Sequence, residues 1–249
     1  MRAALAAEAL KLGRSRVGPL ASLVFVGGLL ALLAGIAAAV ASGNAEMIAK
    51  AGRGATADWS GLLASSAQVT AAGGLLGFGV VLAWMFAREF AEGTVSGLFA
   101  LPLPRGRIAG AKLVVYLGWV AAVSLAASAG VLALGWVLGY GFPLRDAWFG
   151  LARQVALGLL TGLVAVPVAW VASASRSLLG GVASAVGMVV IAQVGTLAGA
   201  GPWFPVATPA IWAMTGGTVG APQLGLTLAL SAAAAALTCR SWARMRLDR

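Results

Sequence analysis

The chain has 249 residues, of which 61% are hydrophobic and only 10% charged, with a formal net charge of +10. Soluble globular domains run about 25% charged and 45–50% apolar, so this composition excludes an ordinary soluble domain, and its long apolar runs exclude a disordered or collagen-like chain. Histidine is absent and Cys239 is the one cysteine, which removes imidazole chemistry and any intramolecular disulfide.

In chain order, residues 1–17, "MRAALAAEALKLGRSRV", place Leu5, Leu10 and Leu12 among alanines beside Glu8, Lys11 and Arg14. They read as a short interfacial helix, with a frayed cationic tail as the alternative. Beyond them, charge-free gaps act as a ruler, because a helical span needs about 20 mostly apolar residues. Uncharged runs of 29 residues follow Arg16 and Asp58, 32 follow Lys112, 22 follow Arg153, and 63 follow Arg176. The last is interrupted by "GAGPWFPVATPAIWAMTGGTVGAP" and reads as two spans with a long uncharged connection.

The predicted fold is therefore an all-α membrane protein with six transmembrane helices, at 18–41, 66–87, 113–137, 154–174, 178–199 and 222–239. Helices are the default form because backbone groups in lipid must bond internally. The domain reading follows: 1–17 N-terminal, 18–239 transmembrane with a polar segment at 88–112, and 240–249 a basic tail. The first span ends near "AVA" at 39–41, but its run is too long for a signal-peptide core. The connection 42–65 has room for a short helix.

Thirteen of the 17 Lys and Arg residues fall on the side of the two termini and four on the other. The positive-inside bias puts both termini in the cytoplasm of a multi-pass cell-membrane protein. It assigns the net charge to topology, with anionic lipids as the counter-charge and no nucleic acid as a partner.

All seven acidic residues lie outside the predicted spans, so no carboxylate stands ready for proton or sodium coupling. The chain lacks the phosphate-binding G-x-x-x-x-G-K-[ST] pattern, and no acid–base pair for an enzyme can be assembled within the spans. It calls for no cofactor. Gln68, Gln154 and Gln193 sit in or at spans, where an amide wants a partner. They read as interhelical contacts or as part of a translocation path. Gly158 and Gly162 fit a small-xxx-small packing face, and Ser173 and Ser175 read as packing or backbone-bonded hydroxyls.

The connection between the second and third spans, "REFAEGTVSGLFALPLPRGRIAGAKL", holds more structure than a loop requires. Val95, Leu98 and Phe99 share one helical face at i, i+3 and i+4. Gly93 and Thr94 allow a sharp turn before it, with Thr94 a candidate N-cap. Pro102 and Pro104 stop it, and a new helix can start near Arg105. The result is a short amphipathic helix whose apolar face suits either lipid or a groove on another protein.

This segment, with Glu89, Gly93 and Thr94, then Leu101-Pro102, Arg105, Ile108 and Lys112, resembles the cytoplasmic segment of ABC-2-type transporter permeases. The N-terminal Glu8, Lys11, Arg14 and Arg16, the six-span layout and "GPWFPVATPAIW" are similar to that family as well. The resemblance implies a permease subunit of an ATP-driven exporter that moves a lipophilic or amphipathic cargo such as a drug, peptide or lipid. It implies a separate ATP-binding cassette ATPase subunit and a second permease copy or homologue as partners. It makes the short helix a coupling helix, with Val95, Leu98 and Phe99 as its docking face, Glu89, Gly93, Thr94 and Pro102 shaping its corners, and Arg105 at its exit. Pro104 stands where family members commonly carry Ser or Thr. Read from the residues alone, an ATP-independent carrier or channel, or a structural or assembly membrane protein, remain alternatives.

Overall fold

The computed structural model describes residues 2–43, 56–100, 102–215 and 218–245. Most of the connection expected to have room for a short helix, together with Leu101 and the end of the basic tail, lies outside the described residues. Among the described residues every regular element is helical, and six helical segments are long and apolar enough to cross a membrane.

The N-terminal helix α1 (Arg2–Arg14) and the first span α2 (Val17–Ala41) are joined by a two-residue bend. Then come α3 (Trp59–Ala91), the short α4 (Val95–Phe99) and α5 (Arg105–Val137). The fourth span is made of α6 (Arg145–Val164) and α7 (Pro167–Ser175). The fifth is α8 (Leu178–Leu197). A 3-10 turn, Gly201–Trp203, and the short α9 (Thr208–Thr215) lead to the last span, α10 (Ala221–Arg244).

All six predicted spans are present, but several helices outrun them. At 1.5 Å per residue, the 33 residues of α3 extend about 50 Å, against a hydrocarbon core of about 30 Å. Charge-free gaps measure the hydrocarbon, whereas a helix continues as long as its backbone bonds and neighbours allow. The protruding turns therefore carry charge within helices: Glu89 near the end of α3, and Arg105, Arg107 and Lys112 near the start of α5.

The helix ends have local causes. Asp58 is extended and caps α3, its Oδ1 accepting from the Gly61 amide at 2.8 Å and from the Thr56 and Ser60 hydroxyls. Pro167 cannot continue the hydrogen-bond ladder of α6, so the fourth span breaks there and restarts with the proline in its first turn. Arg176 adopts the left-handed region at φ 50°, and Ser177 then caps α8 by accepting from the Gly180 amide. That two-residue corner turns the fourth span directly into the fifth.

The long helix α3 is the axis of the bundle. It packs against α2, α6, α7 and α8, and its Phe78, Leu82, Ala83, Phe86 and Ala87 are fully buried. The helix α5 closes on α6 through small residues: a Cβ on Gly158 would fall 2.2 Å from Ser124 Oγ, and one on Gly162 2.6 Å from Val120 Cγ1. The Tyr116 hydroxyl donates to the Gly162 carbonyl at 3.0 Å across that contact. By contrast α8 is peripheral, with Val190, Ile191, Val194 and Leu197 exposed.

Candidate functional site

The charged ends of α1, α3 and α5 meet at one end of the bundle, and α4 is tied to them. In α1, Ala4, Glu8 and Leu12 repeat at i, i+4, i+8 and are the buried face. The helix packs inward against α5. This puts the Glu8 carboxylate beside Lys112, which is completely buried.

Lys112 Nζ donates to Glu8 Oε2 at 2.8 Å, to Glu89 Oε1 at 3.0 Å and to the Met85 carbonyl at 3.1 Å. All three ammonium protons have acceptors, which is the condition for burying a lysine. Lys11 closes the ring from the outer side, at 2.9 Å from Glu8 Oε1 and 2.8 Å from Glu89 Oε1. Two carboxylates and two ammonium groups thus neutralise one another. Burial opposes the charge on Lys11, but its bonds to Glu89 and Glu8 prevail and raise its pKa above the ordinary 10.5.

The remaining oxygen of Glu89, Oε2, accepts from the Thr94 hydroxyl at 2.6 Å. Thr94 is therefore not the side-chain N-cap that its position suggests. Its backbone is already helical and no side-chain cap bond forms, because the hydroxyl is taken by the buried carboxylate. Gly93 adopts φ 68° immediately before it, the left-handed turn that glycine allows without strain and that ends α3.

An aromatic group completes the site. Trp242, near the end of α10, is fully buried and its Nε1 donates to Ser173 Oγ at 2.8 Å. Phe86, Phe90 and Phe99 each meet its ring edge-on, with centroids 5.7–6.1 Å apart, a favoured aromatic geometry. Lys112 Nζ lies 6.0 Å from the same ring. The Arg105 guanidinium sits 4.4 Å over Phe99 and donates to the Met245 carbonyl.

The structure distributes the sequence-predicted residues as follows. Glu89, Gly93, Thr94, Phe99 and Arg105 come together around α4. Leu98 and Phe99 turn toward the bundle and pack on its core, and Val95 is half-buried. The outward surface of α4 is Ser96, Gly97 and Ala100, continued by Pro102. Pro104 occupies the N-cap position of α5, and its carbonyl accepts from the Arg107 amide at 2.8 Å. The glutamines do not converge. Gln154 is buried and donates to Thr70 Oγ1 at 2.6 Å, an interhelical bond between α6 and α3 beside a cavity of about 220 Å³. Gln68 and Gln193 are exposed on the chain's surface. Ser173 and Ser175 bond back to the Ala169 and Val171 carbonyls.

Sequence reasoning missed the partners Glu8, Lys112 and Trp242 as members of one site. The spacing of Glu8 with Ala4 and Leu12 was the available signal for a buried α1 face. Nothing in the order of residues announces that Trp242, more than 120 residues beyond Lys112, shares its pocket.

A bundle with six helices able to span, and a short helix held between the second and third, defines a polytopic membrane protein. Comparison with protein families matches residues 4–199 to the ABC-2 family of transporter proteins. The chain belongs to that family, and is accordingly a membrane transport component, the permease of an ABC transporter. No curated protein matches the chain. The family match covers α1 to α8 with the whole ion cluster; Trp242 lies beyond it.

Proposed function

We propose that this permease works in an ATP-driven exporter, with both termini in the cytoplasm, a separate ATP-binding cassette subunit supplying the hydrolysis, and two permeases forming the pathway. The observation that carries the reading is the tethering of α4. A five-residue helix has too few backbone bonds to hold itself, yet this one is fixed at its start by Thr94 on Glu89 and at its end by Phe99 on Trp242. In this reading the exposed Ser96–Gly97 surface, with Val95 at its edge, meets the ATPase. Leu98 and Phe99 pass its displacement inward.

Mechanically, a shift of α4 moves Glu89 and Trp242 together, and with them α1, α3, α5 and α10. Two packings of these helices would then be biased by nucleotide through differential contacts, as any ligand-driven switch requires. Among the described residues the buried carboxylate of a spanning helix, Glu89, lies at the charged end of α3 and is already paired with Lys11 and Lys112, which favours external energy. The apolar interior of the spans favours a lipophilic or amphipathic cargo.

The test is co-expression with a candidate ATPase subunit and efflux from vesicles. Wild type should co-purify with the ATPase and transport only with ATP. Ser96→Arg should abolish co-purification, whereas Phe99→Ala should retain it and lose most efflux. Transport that continues without ATP, or a folded permease that retains no ATPase, would overturn the proposal.

A further inference from the structure

Beside the ion cluster, and sharing Lys11 with it, lies a second feature. A cavity of about 450 Å³ is walled by Lys11, Arg14, Arg16, Trp84 and Arg88, with Glu92 its one acidic wall residue. Val17 lines both this cavity and an apolar groove of about 530 Å³ between α2 and α3. The groove is scooped by glycines: a Cβ on Gly28 or Gly73 would meet nothing within 4 Å. It runs from Val17 to Leu32, about 22 Å along the helix axis, which exceeds the roughly 15 Å of hydrocarbon in one leaflet.

We propose that this composite holds one anionic phospholipid, its phosphate among the arginines and an acyl chain along the α2–α3 groove. The two parts match the two parts of a lipid in order and depth. Trp84 marks the headgroup level, as indoles do at the membrane–water boundary, and it carries the Arg88 guanidinium over its ring at 4.7 Å.

The charge has an excess to offer. Lys11 is committed to Glu8 and Glu89, and Arg88 Nη2 to Glu92 at 3.2 Å. Among the described residues Arg14 and Arg16 bond no acidic group. Guanidinium groups bind phosphate through paired N–H donors, and a neutral zwitterionic headgroup would leave this excess uncompensated. Below the mouth the groove is lined by aliphatic and aromatic side chains and glycine alone, which suits a hydrocarbon tail and no polar ligand.

Native mass spectrometry of the purified permease, equilibrated with equimolar phosphatidylglycerol and phosphatidylcholine of the same acyl chains, reads the site directly. Phosphatidylglycerol should be retained several-fold over phosphatidylcholine. Arg14→Gln with Arg16→Gln should erase the preference. Gly73→Leu, or Gly28→Leu should the first not fold, fills the groove and should lower retention of phosphatidylglycerol at least several-fold while the melting temperature holds. Soluble glycerol phosphate should not compete. Equal retention of the two lipids overturns the proposal, as does competition by glycerol phosphate, which would mean an anion site without a lipid. Unchanged lipid retention with a changed number of chains per particle in Gly73→Leu would assign the groove to a second copy instead. The readout uses the permease alone, so its failure leaves the transport reading intact, and the reverse.

Discussion

The two ends of α3 are held by different physics. At Trp59 the helix is capped by Asp58, whose bonds reach only two and three residues along the chain, to Thr56, Ser60 and Gly61. At Ala91 it is held by Glu89, whose partners Lys11 and Lys112 lie 78 and 23 residues away, with Thr94 as the one local bond. The cap at the first end can be altered without removing a bond to another helix. The second cannot, because α1, α4 and α5 share the same carboxylate. In the proposed mechanism a displacement of α4 reaches that end of α3 through Glu89 and Thr94.

The largest expected break of this comparison is Lys112→Met. It leaves Glu8 and Glu89 buried with only Lys11 to compensate, and should cost about 3–5 kcal/mol, read by thermal unfolding in detergent. Adding Glu8→Gln should recover part of that loss, because one uncompensated charge goes with it; a fully additive double variant would show that the ring is not one unit. Trp242→Phe should follow at about 2 kcal/mol, losing the Ser173 bond and part of the ring contacts with Phe86, Phe90 and Phe99. At the opposite end Asp58→Ala should cost about 0.5–2 kcal/mol and leave ATP-dependent efflux unchanged. Smallest is Thr70→Val against Gln154, about 0.6 kcal/mol, as expected for a single interhelical bond in a membrane protein.

The two ends should also separate in pH. Hydrogen bonds, that from the Gly61 amide foremost, hold the Asp58 carboxyl below its ordinary 3.8. A depressed carboxylate contributes stability that is present above 3.8 and lost as pH falls through the lowered value. Lys11 titrates above 10.5, so its contribution is present below 10.5 and lost as pH rises through the raised value. Acid should thus erase the difference between wild type and Asp58→Asn, and strong alkali the difference between wild type and Lys11→Met. Melting curves across pH check both.

Much of the fold could be read directly. Six spans follow from charge-free length, since a charge in hydrocarbon is costly and an unbonded backbone more so. The sharp turn at Gly93, the stop before Pro102 and the restart at Arg105 followed from backbone rules that operate within a few residues. The expected cap role of Thr94 failed for a reason those rules do not contain: a buried carboxylate five residues earlier competes for the hydroxyl.

The solvent, the number of crossings, and the place where a short helix interrupts them could all be read from the order of residues. This is so because hydrophobic length and backbone geometry are local quantities. Only the tertiary structure decided that α1 turns Glu8 inward, that Lys112 lies between two carboxylates, and that Phe99 faces Trp242. Those are pairings among groups as many as 143 positions apart, and the order of residues does not specify which charges or rings packing will bring together.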